Sequence, residues 1–278
     1  MIISPFTPLF FDLHKSDGID SRYIQLFAPT HRILVEVIRT VNENTPVAVL
    51  RNHISGVEQH ILWNSWQMND TDILDFHEIT GLSDGCYSLT IGDKESRHFR
   101  VTSVVEDLNA TTLIQYCMKN NKQRQDVVSW IDGMQYFFDF RVPGGFKDKG
   151  WSFGVDNEQF VTDLSDIIEL YATDSTIKTF TMGTNIGCPI WFAELLNRLL
   201  CCSYVYFDGV RYARKDTSVP ELNEQMEGLN SFVFNQQLQK VNNINATIEN
   251  ANQAIIRRVS FEYRSTETDT DNMNLLIN

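Results

Sequence analysis

Apolar residues in the first third of the chain fall into short runs separated by turn residues. Arg32-Ile-Leu-Val-Glu-Val-Ile38 is a strand-length stretch rich in β-branched side chains. Val47–Leu50 and His60–Trp63 are similar, and Ile73–Ile79 alternates apolar and polar positions with a period of two. After Gly81, a turn leads into a strand with Tyr87, Leu89 and Ile91 on one face; Phe99 and Val101 close the set. Regularly spaced short strands of this kind predict a β-sandwich, which we expect to be immunoglobulin-like, over residues 1–105.

The pattern continues in the middle of the chain with two hairpins. Val127–Phe140 and Tyr204–Ala213 each place Asp-Gly between β-rich runs. That dipeptide tolerates the positive φ of the turn whose twist suits paired strands. Pro143-Gly-Gly145 is expected to end the first hairpin. Ile167–Tyr171 and Lys178–Met182 read as further strands. One helix is predicted at 189–201: Pro189 suits its first turn, and Ile190, Phe192, Ala193, Leu196 and Leu200 recur at helical spacing. Residues 106–218 are therefore expected to form a second β-rich domain carrying one packed helix.

From residue 219 the pattern changes. Leu238, Val241, Ile244, Ile248, Ala251 and Ile255 are spaced three or four apart, and no Gly follows Gly228 before the polar C-terminus. This predicts a helical tail over 219–278 with an assembly face formed by Leu238, Val241, Ile244, Ile248 and Ile255. The helix would dock either on its own domain or on a neighbouring subunit.

Composition narrows the function. With 36 acidic against 23 basic residues the net charge is −13, and the excess is spread along the chain. A nucleic-acid partner is not expected, because phosphate contact needs clustered Lys and Arg. The apolar start contains two prolines and no early basic residue, and no stretch is long enough for a membrane helix, so neither secretion nor membrane insertion is expected. The five cysteines, Cys86, Cys117, Cys188, Cys201 and Cys202, show no CxxC or Cys/His ligand spacing and read as reduced thiols. All six histidines precede residue 105. No nucleotide motif or GxSxG is present. Asp17–Asp20 and Asp269–Asn272 read as solvated turns rather than calcium loops. Asp139, Asp148, Asp156 and Glu158 could pair as acid and base only if the fold set their separation. No catalytic residue, cofactor or metal is expected. The segment 144–154, with Phe146, Trp151 and Phe153 among its glycines, is the candidate binding loop: its aromatics either stack on a glycan or pin the loop to its own sheet.

Several segments also carry a resemblance. They are Thr112-Leu-Ile-Gln-Tyr-Cys-Met-Lys-Asn-Asn121, Phe140-Arg-Val-Pro-Gly-Gly-Phe146, the stretch from Phe160 to Tyr171, Gly187–Cys202 and Val205–Lys215. Together, over roughly residues 110–240, they resemble a largely uncharacterised family of virion- or tail-associated proteins of Bacteroidales phages and prophages. Cys117 stands where many of that family have Ser. The resemblance brings no catalytic residues. It implies a non-enzymatic structural component of a phage or prophage particle, made in the bacterial cytoplasm and incorporated into the virion. Its partners would be other copies of itself or other virion proteins. The alternative is a carbohydrate-binding or adhesion module that uses exposed aromatics on a glycan.

Overall fold

A computed structural model describes residues 1–11, 19–20, 23–122, 126–147, 151–163, 165–183, 187–215, 221–224 and 229–241. The chain is mainly β, built from several largely antiparallel sheets. In the N-terminal region a pair of sheets face each other. One has the strand order Ile2–Ile3, Ile33–Thr40, Asp72–Ile79, Asn64–Gln67. The other runs Gln25–Phe27, Phe99–Val101, Gly85–Ile91, Ala48–Asn52, Glu58–His60, with Lys94–Glu95 paired to Gly85–Ile91. Gln25–Phe27 and Phe99–Val101 pair in parallel, which lets the start of the chain close the second sheet after crossing from the first. Ile33, Val35, Val37, Leu50, Leu89, Phe99 and their neighbours fill the space between the sheets. The Tyr87 hydroxyl donates to the Ser83 carbonyl (2.8 Å), fixing the corner that leads into Gly85–Ile91.

Ile33–Thr40 is buried on both faces, which explains its nearly unbroken apolar run. Ile33, Val35 and Val37 face the first core, while Leu34, with Leu74 and Phe76 of the adjacent strand, faces a second. That second core joins them to Phe6 and to the middle of the chain.

Its centre is a closed circuit of six antiparallel strands. Phe138–Phe146, Thr111–Cys117, Tyr204–Phe207, Val210–Arg214, Phe232–Lys240 and Ile167–Met182 pair in that order, and the last returns to the first. Ile114, Phe140, Phe180, Phe207, Tyr212 and Leu238 belong to the core it encloses. Each such aromatic or aliphatic burial is worth about 1.5–3 kcal/mol. The helix runs Ile190–Leu199 after Pro189 and buries Phe192, Leu195, Leu196 and Leu199 on the same core. Both Asp-Gly turns are present: Asp132 and Gly133 have φ of 51° and 76°, and Asp208 and Gly209 have 48° and 80°.

Two expectations are corrected. The strand from Phe138 continues through Pro143-Gly144-Gly145 to Phe146. Gly144 has φ +109°, and a Cβ there would lie 2.1 Å from the Thr181 carbonyl oxygen, so the glycine admits the close approach of Ile167–Met182 rather than ending the ladder. The expected helix from residue 219 is also replaced, where the chain is described, by strands. Phe232–Lys240 is extended, with Phe234, Gln236 and Leu238 buried in alternation. Leu238 closes the six-strand circuit opposite Lys178 and Arg214 and is 0% exposed, so it is core rather than an assembly face. Val241 follows that strand, its N–H donating to the Arg211 carbonyl (3.1 Å). The period-two burial of Phe234, Gln236 and Leu238 comes from strand pairing on both sides, which overrides the spacing of three and four that starts at Leu238. Ile244, Ile248 and Ile255 lie outside the described residues.

Candidate functional site

Ile167–Met182 is sixteen residues long and serves two structures. Its C-terminal portion, Ile177–Met182, lies in the closed circuit. Its N-terminal portion pairs with Ser152–Val161 in a two-stranded arm, with a bulge between Glu158 and Gln159. Among the described residues Ser152–Val161 pairs only with Ile167–Met182 and is an edge strand. The arm is exposed on both faces and carries Phe153, Val155, Phe160, Val161, Ile167 and Leu170 largely in solvent. Four of these, with Ile168, crowd the end of the arm around the turn in which Thr162 N–H donates to Asp166 O (2.8 Å). The arm is also acidic: between 152 and 177 it has Asp156, Glu158, Asp163, Asp166, Glu169 and Asp174 and no Lys or Arg.

Its base is basic. Lys178 and Lys240 are near enough to influence each other; burial first, and the Lys240 charge second, hold the Lys178 ammonium below its usual pKa. Lys147 and Lys215 are tied to the same end by backbone hydrogen bonds to Thr179 (3.4 Å) and Gln237 (3.2 Å).

The three loop aromatics are divided by the fold. Phe146 ends its strand and packs on Phe180, Phe207 and Tyr212, the last stacked at 4.6 Å, so it belongs to the core. Trp151, 44% exposed, donates its indole N–H to the Lys147 carbonyl (3.0 Å) and receives the Lys178 ammonium 3.9 Å from its ring centroid. Phe153, 74% exposed, opens the arm and stands 6.1 Å from Trp151.

The carboxylates considered as an acid–base pair are separated. Asp139 is buried, accepting from Gln115 Nε2 (2.9 Å) and Arg32 N–H (3.2 Å), and burial pushes its pKa up to about 6. Glu158 is exposed on the arm, the side chain of Asp156 is not described, and Asp148 lies outside the described residues. Glu36, also fully buried, faces the second core with Val128 N–H on its Oε2 (3.4 Å).

A pocket of about 430 Å³ lies between the second sheet of the N-terminal region and the helix, with Phe10, Tyr23 and Trp191 on one side and Glu95, Arg97 and His98 on the other. The sheet register brings His53 beside two of these, and His53, Glu95 and His98 form a compact cluster. Sequence reasoning missed this group because His53 and His98 lie far apart along the chain. The confinement of all histidines to the N-terminal region was the one hint. Among the described residues no helix is long and apolar enough to cross a membrane.

Comparison of the chain with protein-family models, with curated proteins and with solved structures finds no match.

Proposed function

We propose that this protein is a non-enzymatic structural subunit of a phage or prophage particle, acting through protein–protein contacts, and that its N-terminal region is an immunoglobulin-like sandwich. The crossing of the chain's start between the two sheets, its parallel pairing with Phe99–Val101 and the Tyr87 corner support the second statement. The observation that carries the first is the acidic, apolar-ended arm. A lone two-stranded ribbon is marginal in water, and exposed apolar side chains gathered on one are characteristic of surface that a partner covers. The occupant is a second copy of this chain. The acidic arm of one copy complements the basic base around Lys147, Lys178, Lys215 and Lys240 of the next. Such a head-to-tail contact generates a ring, or an open filament if the rotation does not close. The resemblance of the 110–240 region to virion-associated proteins supports the same reading.

Light scattering on the full chain after size exclusion tests it. Oligomers at low salt that shrink at high salt, and that are lost in a Phe160→Asp/Leu170→Asp variant with an unchanged melting profile, are expected. A monomer at every concentration and salt level would overturn the reading. Trp151 and Phe153 as a glycan platform is the alternative; one face of Trp151 already holds Lys178, which leaves Phe153 as its main exposed ring.

A further inference from the structure

We infer that His53, Glu95 and His98 bind a divalent transition-metal cation of the zinc class at the mouth of the pocket between the sandwich and the helix. The candidate ligand atoms of the three side chains all lie within 4.8 Å of one another. Zn–N distances of about 2.0–2.1 Å place tetrahedral ligands about 3.4 Å apart, so closure needs only side-chain rotation of roughly 1 Å. All three side chains are exposed and able to make that movement. Two imidazoles and one carboxylate are a set that zinc takes when it keeps a further position open.

The fold constructs this group from four segments of one sheet. His53 follows Ala48–Asn52, and its N–H donates to the Cys86 carbonyl (2.7 Å). Glu95 sits opposite Thr90. His98 precedes Phe99, which pairs with Tyr87, so the register places it beside Ser88. Tyr87, Leu89 and Ile91 point into the core, so Ser88 points outward, yet it is 0% exposed. Its hydroxyl lies 2.8 Å from His53 Nε2 and donates to Glu95 Oε1 (2.8 Å).

That chain of hydrogen bonds sets the chemistry. Because the single Ser88 proton goes to Glu95, His53 must donate its Nε2–H to Ser88. In the neutral imidazole Nδ1 of His53 then carries the lone pair that a metal ligand requires. Glu95 keeps Oε2 for a cation. The His98 ring packs against His53 with centroids 4.2 Å apart, and its nitrogens have no hydrogen-bond partner among the described residues. The carboxylate forms no ion pair with either imidazole among the described residues, so the cluster does not satisfy itself. Glu95 and His98 also line the pocket, so an open coordination position there is reachable by a small oxygen or nitrogen donor.

Calorimetric titration of the tag-free full chain with zinc chloride, paired with the visible spectrum of its cobalt(II) form, tests the site. We expect one cation per chain and d–d absorption bands. His53→Ala/His98→Ala should lose both, and His60→Ala/His77→Ala should keep both. Ser88→Ala should weaken binding by about tenfold or more while leaving the ligands in place. Circular dichroism checks that each variant is folded, and Glu95→Gln gives a conservative second variant that should also lose the cobalt bands. Absence of binding by the folded wild-type chain, or equal binding by the double His53/His98 variant, would overturn the inference.

Discussion

Glu36 offers the sharpest test of how the two cores meet. It occupies the strand shared by both, it is fully buried, and its Oε1 has no hydrogen-bond partner among the described residues. Burial, opposed by hydrogen bonds from Val128 N–H and Ser4, raises its pKa from 4.5 to about 8. Below pH 4.5 both folded and unfolded chains hold the proton and Glu36 carries no penalty. Between 4.5 and about 8 the folded chain keeps a proton that the unfolded chain has released. Stability therefore falls as pH rises through that window and levels off above it. At about 1.4 kcal/mol for each tenfold in proton affinity, the loss is on the order of 5 kcal/mol. Glu36→Gln removes the titration and keeps the shape. Urea unfolding of both proteins should show similar stability at about pH 4.5 and a variant several kcal/mol more stable at about pH 9. The comparison cancels the other groups, including Asp139, whose raised pKa acts in the same direction. A difference between the two proteins that does not change with pH would refute the reasoning.

Three further outcomes probe the six-strand circuit. Leu238→Ala should cost about 2–5 kcal/mol in urea unfolding, because it leaves a cavity in a closed core; a cost of only a few tenths would mean the side chain is not enclosed. Gly144→Ala should cost at least about 2 kcal/mol, since the new Cβ meets the Thr181 carbonyl at a positive φ. Gly145→Ala, whose Cβ would meet nothing closer than Thr112 Oγ1 at 3.5 Å, should stay within about 1 kcal/mol of wild type by the same measurement.

Much of the strand content was legible because its causes are local. Gly85–Ile91 follows a turn and alternates its core residues, and Asp132-Gly133 and Asp208-Gly209 adopt the φ values their side chains permit. What was hidden depends on partners distant in sequence. Leu34 reads as one more apolar residue in a strand; only the packing of Phe6, Phe76 and the middle segment shows that its face is covered as well. Ala172–Thr176 shows no apolar periodicity in the sequence, yet it is paired throughout with the arm's outer strand. Leu238 sits where two periodicities overlap, and the closing of the circuit selects the shorter one. Of the candidate sites, the Gly-rich surroundings of Phe153 fit an exposed or a pinned ring equally, and its exposure follows from its place on the arm. The His53, Glu95 and His98 grouping was not legible, since strand register alone makes those residues neighbours.

The strand Ile167–Met182 runs without a break from the outer end of the arm into the wall of the closed circuit, where Ile177–Met182 is paired on one side with Phe234–Gln239 and, at its end, on the other with Gly144–Phe146. A pull on the arm therefore enters the body of the protein along the strand axis. It loads several ladder hydrogen bonds in shear at once instead of peeling them off one after another. Tension applied by a neighbouring subunit would be resisted collectively, making this strand a mechanical spine.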